Sequence, residues 1–171
     1  MTIFHSTLAY VDDTFYTQAG LIVESVREEP LNAEYGAGIF QLNGISVRFR
    51  VAKTTPSKAG QFVVFWEKDS ESKNRAFSYA EAPQLLVINA FHPDTAELGQ
   101  FVFPKDVLKQ NGVLATETAK GKMAMRVYPD WDTVYSKQAA HTQKWQKPYF
   151  SRVEPLNQDL LEVLKRLYFV I

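Results

Sequence analysis

Several features that would restrict the function are missing from this sequence. It has no cysteine, which excludes a disulfide framework, a thiolate metal site and a cysteine nucleophile. Lys plus Arg and Asp plus Glu both number 19, so no overall field attracts a polyanion. The first basic residue is Arg27, and apolar runs such as Leu85–Ile88 are far shorter than the ~20 residues of a membrane-spanning helix. We therefore expect a cytoplasmic protein with no leader and no membrane association.

Catalytic and cofactor motifs are also missing. The sequence contains no P-loop, no dinucleotide-binding G-x-G-x-x-G, no H-E-x-x-H zinc motif and no G-x-S-x-G nucleophile motif. Its three histidines, His5, His92 and His141, are scattered, which favours surface or capping roles over a shared metal site. The residues therefore predict no cofactor and no resident metal.

The composition is that of a folded domain. With 171 residues, 46% of them hydrophobic, the chain is long enough for a substantial core and too apolar for intrinsic disorder. Its length and the lack of a linker predict one domain over residues 1–171. Apolar periodicity predicts helices over 4–22, 105–110, 136–146 and 156–170, and strands over 36–42, 45–53, 61–66, 85–90, 100–103 and 123–128. This order is typical of an α/β fold.

One hairpin is specified in detail. Asn43-Gly44 suits a type I′ turn, in which both central residues need positive φ. In the strand that follows, apolar residues alternate with Arg48 and Arg50. Period-two geometry therefore predicts that the apolar residues face the core and that both arginines lie on the opposite face.

Positive charge is unevenly distributed along the chain. Residues 1–44 contain one base and six acids, whereas residues 100–152 contain nine bases and four acids. Lys137, His141 and Lys144 have the i, i+4, i+7 spacing of one helical stripe. Basic side chains neutralise phosphates, amides can read base edges and an indole can stack on a base, which favours nucleic acid as the partner. The alternatives are that the charges mix again on folding, and that the helix is merely solvated with its tryptophan anchored to the core.

Long polar strings in the sequence indicate a family. They are GIFQLNG at 38–44, VRFRVAKTTPSKAGQF at 47–62, GQFVFPK at 99–105, MRVYPDWD at 125–132, SKQAA and TQKWQ within 136–146, and YF at 149–150. Together they resemble the MepB family, and the resemblance covers residues 34–150. It implies a single α/β domain of the restriction-endonuclease-like type, with a mixed sheet flanked by helices, and a role in binding nucleic acid.

The resemblance also bears on catalysis. A catalytically active nuclease of this type needs two or three acidic residues and a lysine around a divalent metal ion. Two residues before Lys105 stands Phe103, and two residues before Lys68 stands Trp66, where an acid would be expected. We therefore predict a degenerate site and no enzyme activity.

We predict that the protein binds duplex or structured DNA, mainly through its phosphates. The residues expected to line one concave basic face are Arg48, Arg50, Lys53, Lys58, Lys105, Arg126, Lys137, Lys144 and Lys147, with Gln138, Gln143 and Trp145 as further nucleic-acid contacts. One alternative is an active nuclease that uses Mg²⁺, for which Glu34, Glu67 and Asp94 are the candidate ligands. A second is a non-enzymatic protein-interaction or regulatory module, in which amino-terminal acids would cap the two arginines.

Overall fold

The computed structural model describes residues 1–169, and nine strands follow one another between its first two α-helices. In chain order the elements are α1 (Ile3–Val11), β1 (Val23–Glu28), β2 (Gly38–Leu42), β3 (Ile45–Val51), β4 (Lys53–Thr54), β5 (Gln61–Val64), β6 (Trp66–Lys68), β7 (Asn74–Ala76), β8 (Leu85–Phe91), β9 (Leu98–Pro104), α2 (Lys105–Gln110), β10 (Ala124–Val127), α3 (Lys137–Gln146), β11 (Phe150–Arg152) and α4 (Gln158–Phe169). The predicted α/β class is confirmed. The restriction-endonuclease-like type stays a prediction.

A six-stranded mixed sheet is the main structural unit, with the strand order β1-β2-β3-β8-β9-β11. Strands β3 and β8 are parallel, and the other neighbours are antiparallel. A parallel pair needs a long crossover connection, and here that connection carries β4 to β7. Strands β4 and β5 join β10 in a second sheet of three strands, with the order β10-β5-β4.

Both faces of the six-stranded sheet are covered. On one face, Leu85 and Val87 of β8 belong to a core cluster that includes residues of α1 and α4. On the other face, Leu86 and Ile88 belong to a cluster that includes residues of β5, β10 and α2, with α3 packed against it. A strand that is buried on both faces reads as a continuous apolar run, as the sequence of β8 does.

The predicted hairpin is confirmed. Asn43 and Gly44 have φ of 48° and 82°, as a type I′ turn requires, and they join β2 to β3. Strand β3 alternates as expected, with Phe49 in the core cluster beside α1 and Arg50 on the opposite face. That opposite face is not open to solvent, because the layer that contains β5 lies over it.

Two amino-terminal elements differ from the prediction. The helix predicted over 4–22 is shorter: α1 ends at Val11, a π-helical turn covers Asp12–Tyr16, and Gly20 then has a left-handed φ of 74°. Strand β1 was not predicted because its side chains are mostly exposed, so its sequence shows no apolar alternation.

Smaller differences follow along the chain. The strand predicted over 61–66 divides into β5 and β6, which belong to separate sheets. The segment 68–75, predicted as a loop, contains the turn and the ends of the β6–β7 hairpin. The predicted end of the last helix at Val170 lies outside the described residues. Within residues 1–169, each helix is too short or too polar to cross a membrane.

Candidate nucleic-acid interface

Strand β10 positions Arg126 beside the loop that joins β4 to β5. The Nη2 of Arg126 donates a hydrogen bond to the hydroxyl of Thr55 in this loop. Gly60 ends the loop with φ of +79°, and a Cβ there would lie 2.7 Å from the ring of Tyr128. Only glycine therefore lets the loop pack this closely against β10. The exposed Lys58 belongs to the same loop.

Helix α3 packs along β10, which is an edge strand of its sheet. The buried Gln146 donates from Nε2 to the carbonyl of Arg126 at 3.0 Å, and its Oε1 accepts from the Tyr128 N–H at 2.9 Å. One side-chain amide thus satisfies two backbone groups of the edge strand. At the start of the helix, Ser136 Oγ accepts from the N–H of Ala139 at 3.0 Å, which caps the first turn.

The outer face of α3 is basic and exposed. Lys137, His141 and Lys144 are all exposed along one stripe, and Lys147 follows at the end of the helix. Among the residues that the structure describes, no carboxylate lies within 4.0 Å of the Nζ atoms of these three lysines or of Lys58. We refer to a set of five cations as the α3 basic surface: Lys58, Arg126, Lys137, Lys144 and Lys147.

Two aspartates lie close to the α3 basic surface. Burial raises the pKa of Asp132, and it outweighs a hydrogen bond from the Gly60 N–H and the nearby charge of Arg126, which lower it. Asp130 accepts from Arg152 Nε at 3.0 Å and is neutralised by that side chain. Asp132 is therefore the carboxylate whose charge acts on Arg126, whereas Asp130 is paired with Arg152.

The predicted position of the two β3 arginines on a concave basic face is corrected by the structure. Arg50 has no exposed surface: its Nη1 donates to Glu29 Oε1 at 2.7 Å, and its Nε donates to the carbonyl of Val64 at 3.0 Å. The Nε of Arg48 lies 3.3 Å from the same carboxylate, and its guanidinium lies 3.5 Å from the centre of the Phe77 ring. Neither arginine presents a free guanidinium to a phosphate.

The carboxylate of Glu29 is the centre of this buried cluster. Burial by itself would raise the pKa of Glu29, but the charges of Arg50 and Arg48 outweigh burial and hold the pKa below its ordinary value. Asn32 adds a second acceptor, because its Oδ1 lies 3.1 Å from Nη2 of Arg50. The cluster therefore joins β3 to the segment between β1 and β2 by charge-assisted hydrogen bonds.

Two further predicted cations lie in other environments. The Nζ of Lys53 is 3.8 Å from Glu34 and 4.6 Å from the centre of the Tyr35 ring. The Nζ of Lys105, at the start of α2, is 4.7 Å from the centre of the Tyr79 ring. The predicted cations thus divide among separate environments. The four lysines of the α3 basic surface are exposed and have no carboxylate partner among residues 1–169, whereas its Arg126 is partly buried.

The polar and aromatic candidates on α3 have different roles. Gln143 Nε2 donates to the carbonyl of Asp132 at 3.2 Å, so its amide holds the turn after β10. Trp145 packs against Phe103 with a ring separation of 5.4 Å, which matches the alternative that it anchors the helix to the core. Gln138 is exposed and stays a candidate contact.

The candidate metal ligands do not form a site. Glu34 is exposed beside Lys53, Glu67 accepts from Arg75 Nε at 2.8 Å, and Asp94 is exposed in the turn after β8. Across residues 1–169, no three side chains among His, Asp and Glu come together as metal ligands would. The donor set does not fit the Mg²⁺ that an active nuclease would need.

Two residues organise this region: Glu29, which the sequence offered only within the protein-interaction alternative as one of three acids (Glu28, Glu29 or Glu34) that could cap the β3 arginines, and Gln146, whose role it did not show. Glu29 is distant in sequence from the arginines that it binds, so no local pattern reveals it. Gln146 is visible in the TQKWQ string, but the string alone does not show that its amide binds the backbone of β10. Its position on the side of α3 opposite the lysine stripe is the signal that it packs inward.

Comparisons with known proteins show the family and the fold. A model of the MepB-like family matches residues 29–152. A solved structure described as the crystal structure of MepB is similar over 90% of this chain and 99% of that one, with 35% sequence identity and a TM-score of 0.75. None of the curated proteins matches this chain.

Proposed function

The chain belongs to the MepB-like family, and we propose that it binds nucleic acid, with DNA as the expected partner, through phosphates that contact the α3 basic surface. One observation carries the proposal. The lysines of this surface are exposed and have no carboxylate partner within the described chain, whereas the arginines of β3 are neutralised by Glu29. A lysine with no ion pair to break can bind a phosphate and release its counterions.

The arrangement supports binding to the phosphate backbone rather than hydrolysis. Helix α3 is fixed to β10 by Gln146 and to the following turn by Gln143, so its lysines project from a rigid support. Phosphate contacts of this kind position a nucleic acid without reading its sequence. We include neither an enzyme activity nor a resident metal in the proposal, and we expect the protein to act in the cytoplasm.

One observation favours the protein-interaction alternative. It requires that amino-terminal acids cap Arg48 and Arg50, and Glu29 does so. It also requires that no exposed basic surface be left. The unpaired Lys137 and Lys144 on α3 speak against that second requirement, so we rank this alternative below nucleic-acid binding.

The test is the salt dependence of binding to a fluorescent DNA duplex. Affinity should fall steeply between about 50 and 200 mM salt, with log Kobs losing about 0.9 per phosphate contact for each unit of log salt concentration. The double variant Lys137→Ala/Lys144→Ala should bind more weakly, with a slope shallower by about 1.8 because two contacts are lost.

The matched control is Lys165→Ala/Arg166→Ala, which removes the same charge from α4 on the other side of the sheet. It should bind as the wild type does. A wild-type affinity that is independent of salt, or an equal loss in both double variants, would contradict the proposal. Cleavage of the DNA in Mg²⁺ by the wild type but not by Glu67→Ala would support the nuclease instead.

A further inference from the structure

A cavity of about 300 Å³ lies between α3 and β10. Thr142 and Trp145 line it from α3, and Met125 and Arg126 line it from β10. Its volume is at the lower end of the range of about 300–1,000 Å³ that is usual for small-ligand sites. It can therefore take a ligand the size of one nucleotide, but not a duplex.

The side chains that line the cavity combine the three kinds of group that a nucleotide needs. Lys122 and Arg126 supply positive charge for a phosphate, and Met125 and Trp145 supply apolar surface for a base. Gln138, with the hydroxyl of Thr142, supplies hydrogen bonds. Within the part of the chain that the structure describes, the cavity lining contains no carboxylate.

The burial of these groups indicates how a ligand would enter. Lys122 and Gln138 are exposed and lie at the rim, whereas Arg126, Thr142 and Trp145 are partly buried and lie deeper. The Nη1 of Arg126 is buried and has no hydrogen-bond partner among residues 1–169, although Nη2 binds Thr55. A buried donor without an acceptor is costly, so the hydrogen-bonding capacity of the Arg126 side chain is not fully used within the described chain.

We infer that this cavity binds a single unpaired nucleotide together with its phosphate. The inference rests on the proposed function, because the nucleotide would belong to a strand whose other phosphates contact the α3 basic surface. A free nucleoside monophosphate has the same chemistry and is the other source from which this ligand could come. The site therefore gives the protein a preference for nucleic acid with an unpaired end over a fully paired duplex.

The experiment compares a blunt duplex with a duplex of the same length that carries a short 5′-phosphorylated single-stranded overhang. One stacked base contributes about 1–3 kcal/mol, so the overhang should bind the wild type at least about fivefold more tightly. The variant Thr142→Phe fills the cavity without changing any charge. It should lose the preference and keep the affinity and the salt slope for the blunt duplex. Equal wild-type affinity for both duplexes, or a preference that persists in Thr142→Phe, would overturn the inference.

A second pair of variants keeps the inference testable if the larger side chain disturbs folding. Lys122→Ala and Lys120→Ala remove the same charge from exposed neighbouring positions, but only Lys122 lines the cavity. The preference for the overhang should fall in Lys122→Ala and persist in Lys120→Ala, and an equal effect in both would contradict the site.

Adenosine monophosphate, added as a competitor, distinguishes the source of the ligand. If it abolishes the overhang preference and leaves blunt-duplex binding intact, the cavity also takes free nucleotide; if it does not compete, the ligand is the end of a strand. Loss of blunt-duplex binding in Lys137→Ala/Lys144→Ala tests the α3 basic surface alone. The two proposals can therefore fail separately.

Discussion

The basic side chains of β3 and those of α3 look alike in the sequence and differ in the structure. Arg48 and Arg50 lie under a second layer and share the carboxylate of Glu29. Lys137 and Lys144 are exposed, and no carboxylate in the described chain pairs with them. The first pair is therefore part of the internal structure, and the second pair is free to bind an external anion. Pairing and burial, rather than charge alone, separate a structural cation from a binding cation.

The same contrast between burial and exposure explains why β3 carries arginines and α3 carries lysines. Arginine presents a planar set of donors, and Arg50 uses them for a carboxylate, a backbone carbonyl and the Asn32 side chain together. Lysine keeps a strongly hydrated point charge on a flexible stem, which suits a sequence-independent contact to phosphate. Replacing Arg50 by lysine would therefore leave some of these acceptors without a donor.

The largest expected effect is on stability and arises in the β3 cluster. Replacing Glu29 by alanine leaves the fully buried Arg50 without a carboxylate partner. Removal of one partner of a buried ion pair costs about 3–5 kcal/mol, and Glu29→Ala should lower the free energy of unfolding in urea by that amount.

The neighbouring Glu28 provides a matched control. Its Oε2 lies 3.3 Å from Nδ1 of His5, and both side chains are partly exposed. Glu28→Ala should therefore lower the free energy of unfolding by no more than about 1 kcal/mol. If the two variants lose the same stability, burial of the ion pair does not make Glu29 more important for folding than the exposed Glu28.

A smaller effect should appear as a pH dependence of the same cluster. The pKa of Glu29 is held below its ordinary value of 4.5 in the folded protein, so the unfolded chain binds more protons near that pH. The contribution of Glu29 to stability is then complete above the ordinary pKa and is lost as the pH falls through the folded-state pKa. The stability difference between the wild type and Glu29→Gln should therefore shrink as urea unfolding is repeated from neutral pH to below 4.5. A difference that stays constant over this range would show that the folded protein does not lower the pKa of Glu29.

Sequence patterns predicted local geometry well and long-range pairing poorly. Asn43-Gly44 fixed the turn, and the alternation in β3 correctly placed Arg50 opposite Phe49. Whether that opposite face contacts solvent or is covered by a second layer depends on where β5 packs, and no local sequence pattern contains that information.

The candidate site shows the same limit. The stripe of Lys137 and Lys144 was correctly predicted to lie on one face of a helix, because helical spacing is a local property. The inward roles of Gln146 and Trp145 depend on the free edge of β10 and on Phe103, which come from other parts of the chain. The sequence therefore did not show that Gln146 binds β10 or that Trp145 packs against the core.

The smallest expected effect on stability belongs to the lysines of α3. Lys137→Ala/Lys144→Ala removes two exposed charges that have no ion-pair partner in residues 1–169, and alanine has a high helix propensity. Surface substitutions of this kind usually change stability by no more than about 0.5 kcal/mol, so urea unfolding should barely distinguish this variant from the wild type. Because the same variant is expected to lose affinity for DNA, it should separate binding from folding, whereas Glu29→Ala should do the reverse. A stability loss near that of Glu29→Ala would mean that these lysines stabilise the fold, and the contrast between the two regions would then disappear.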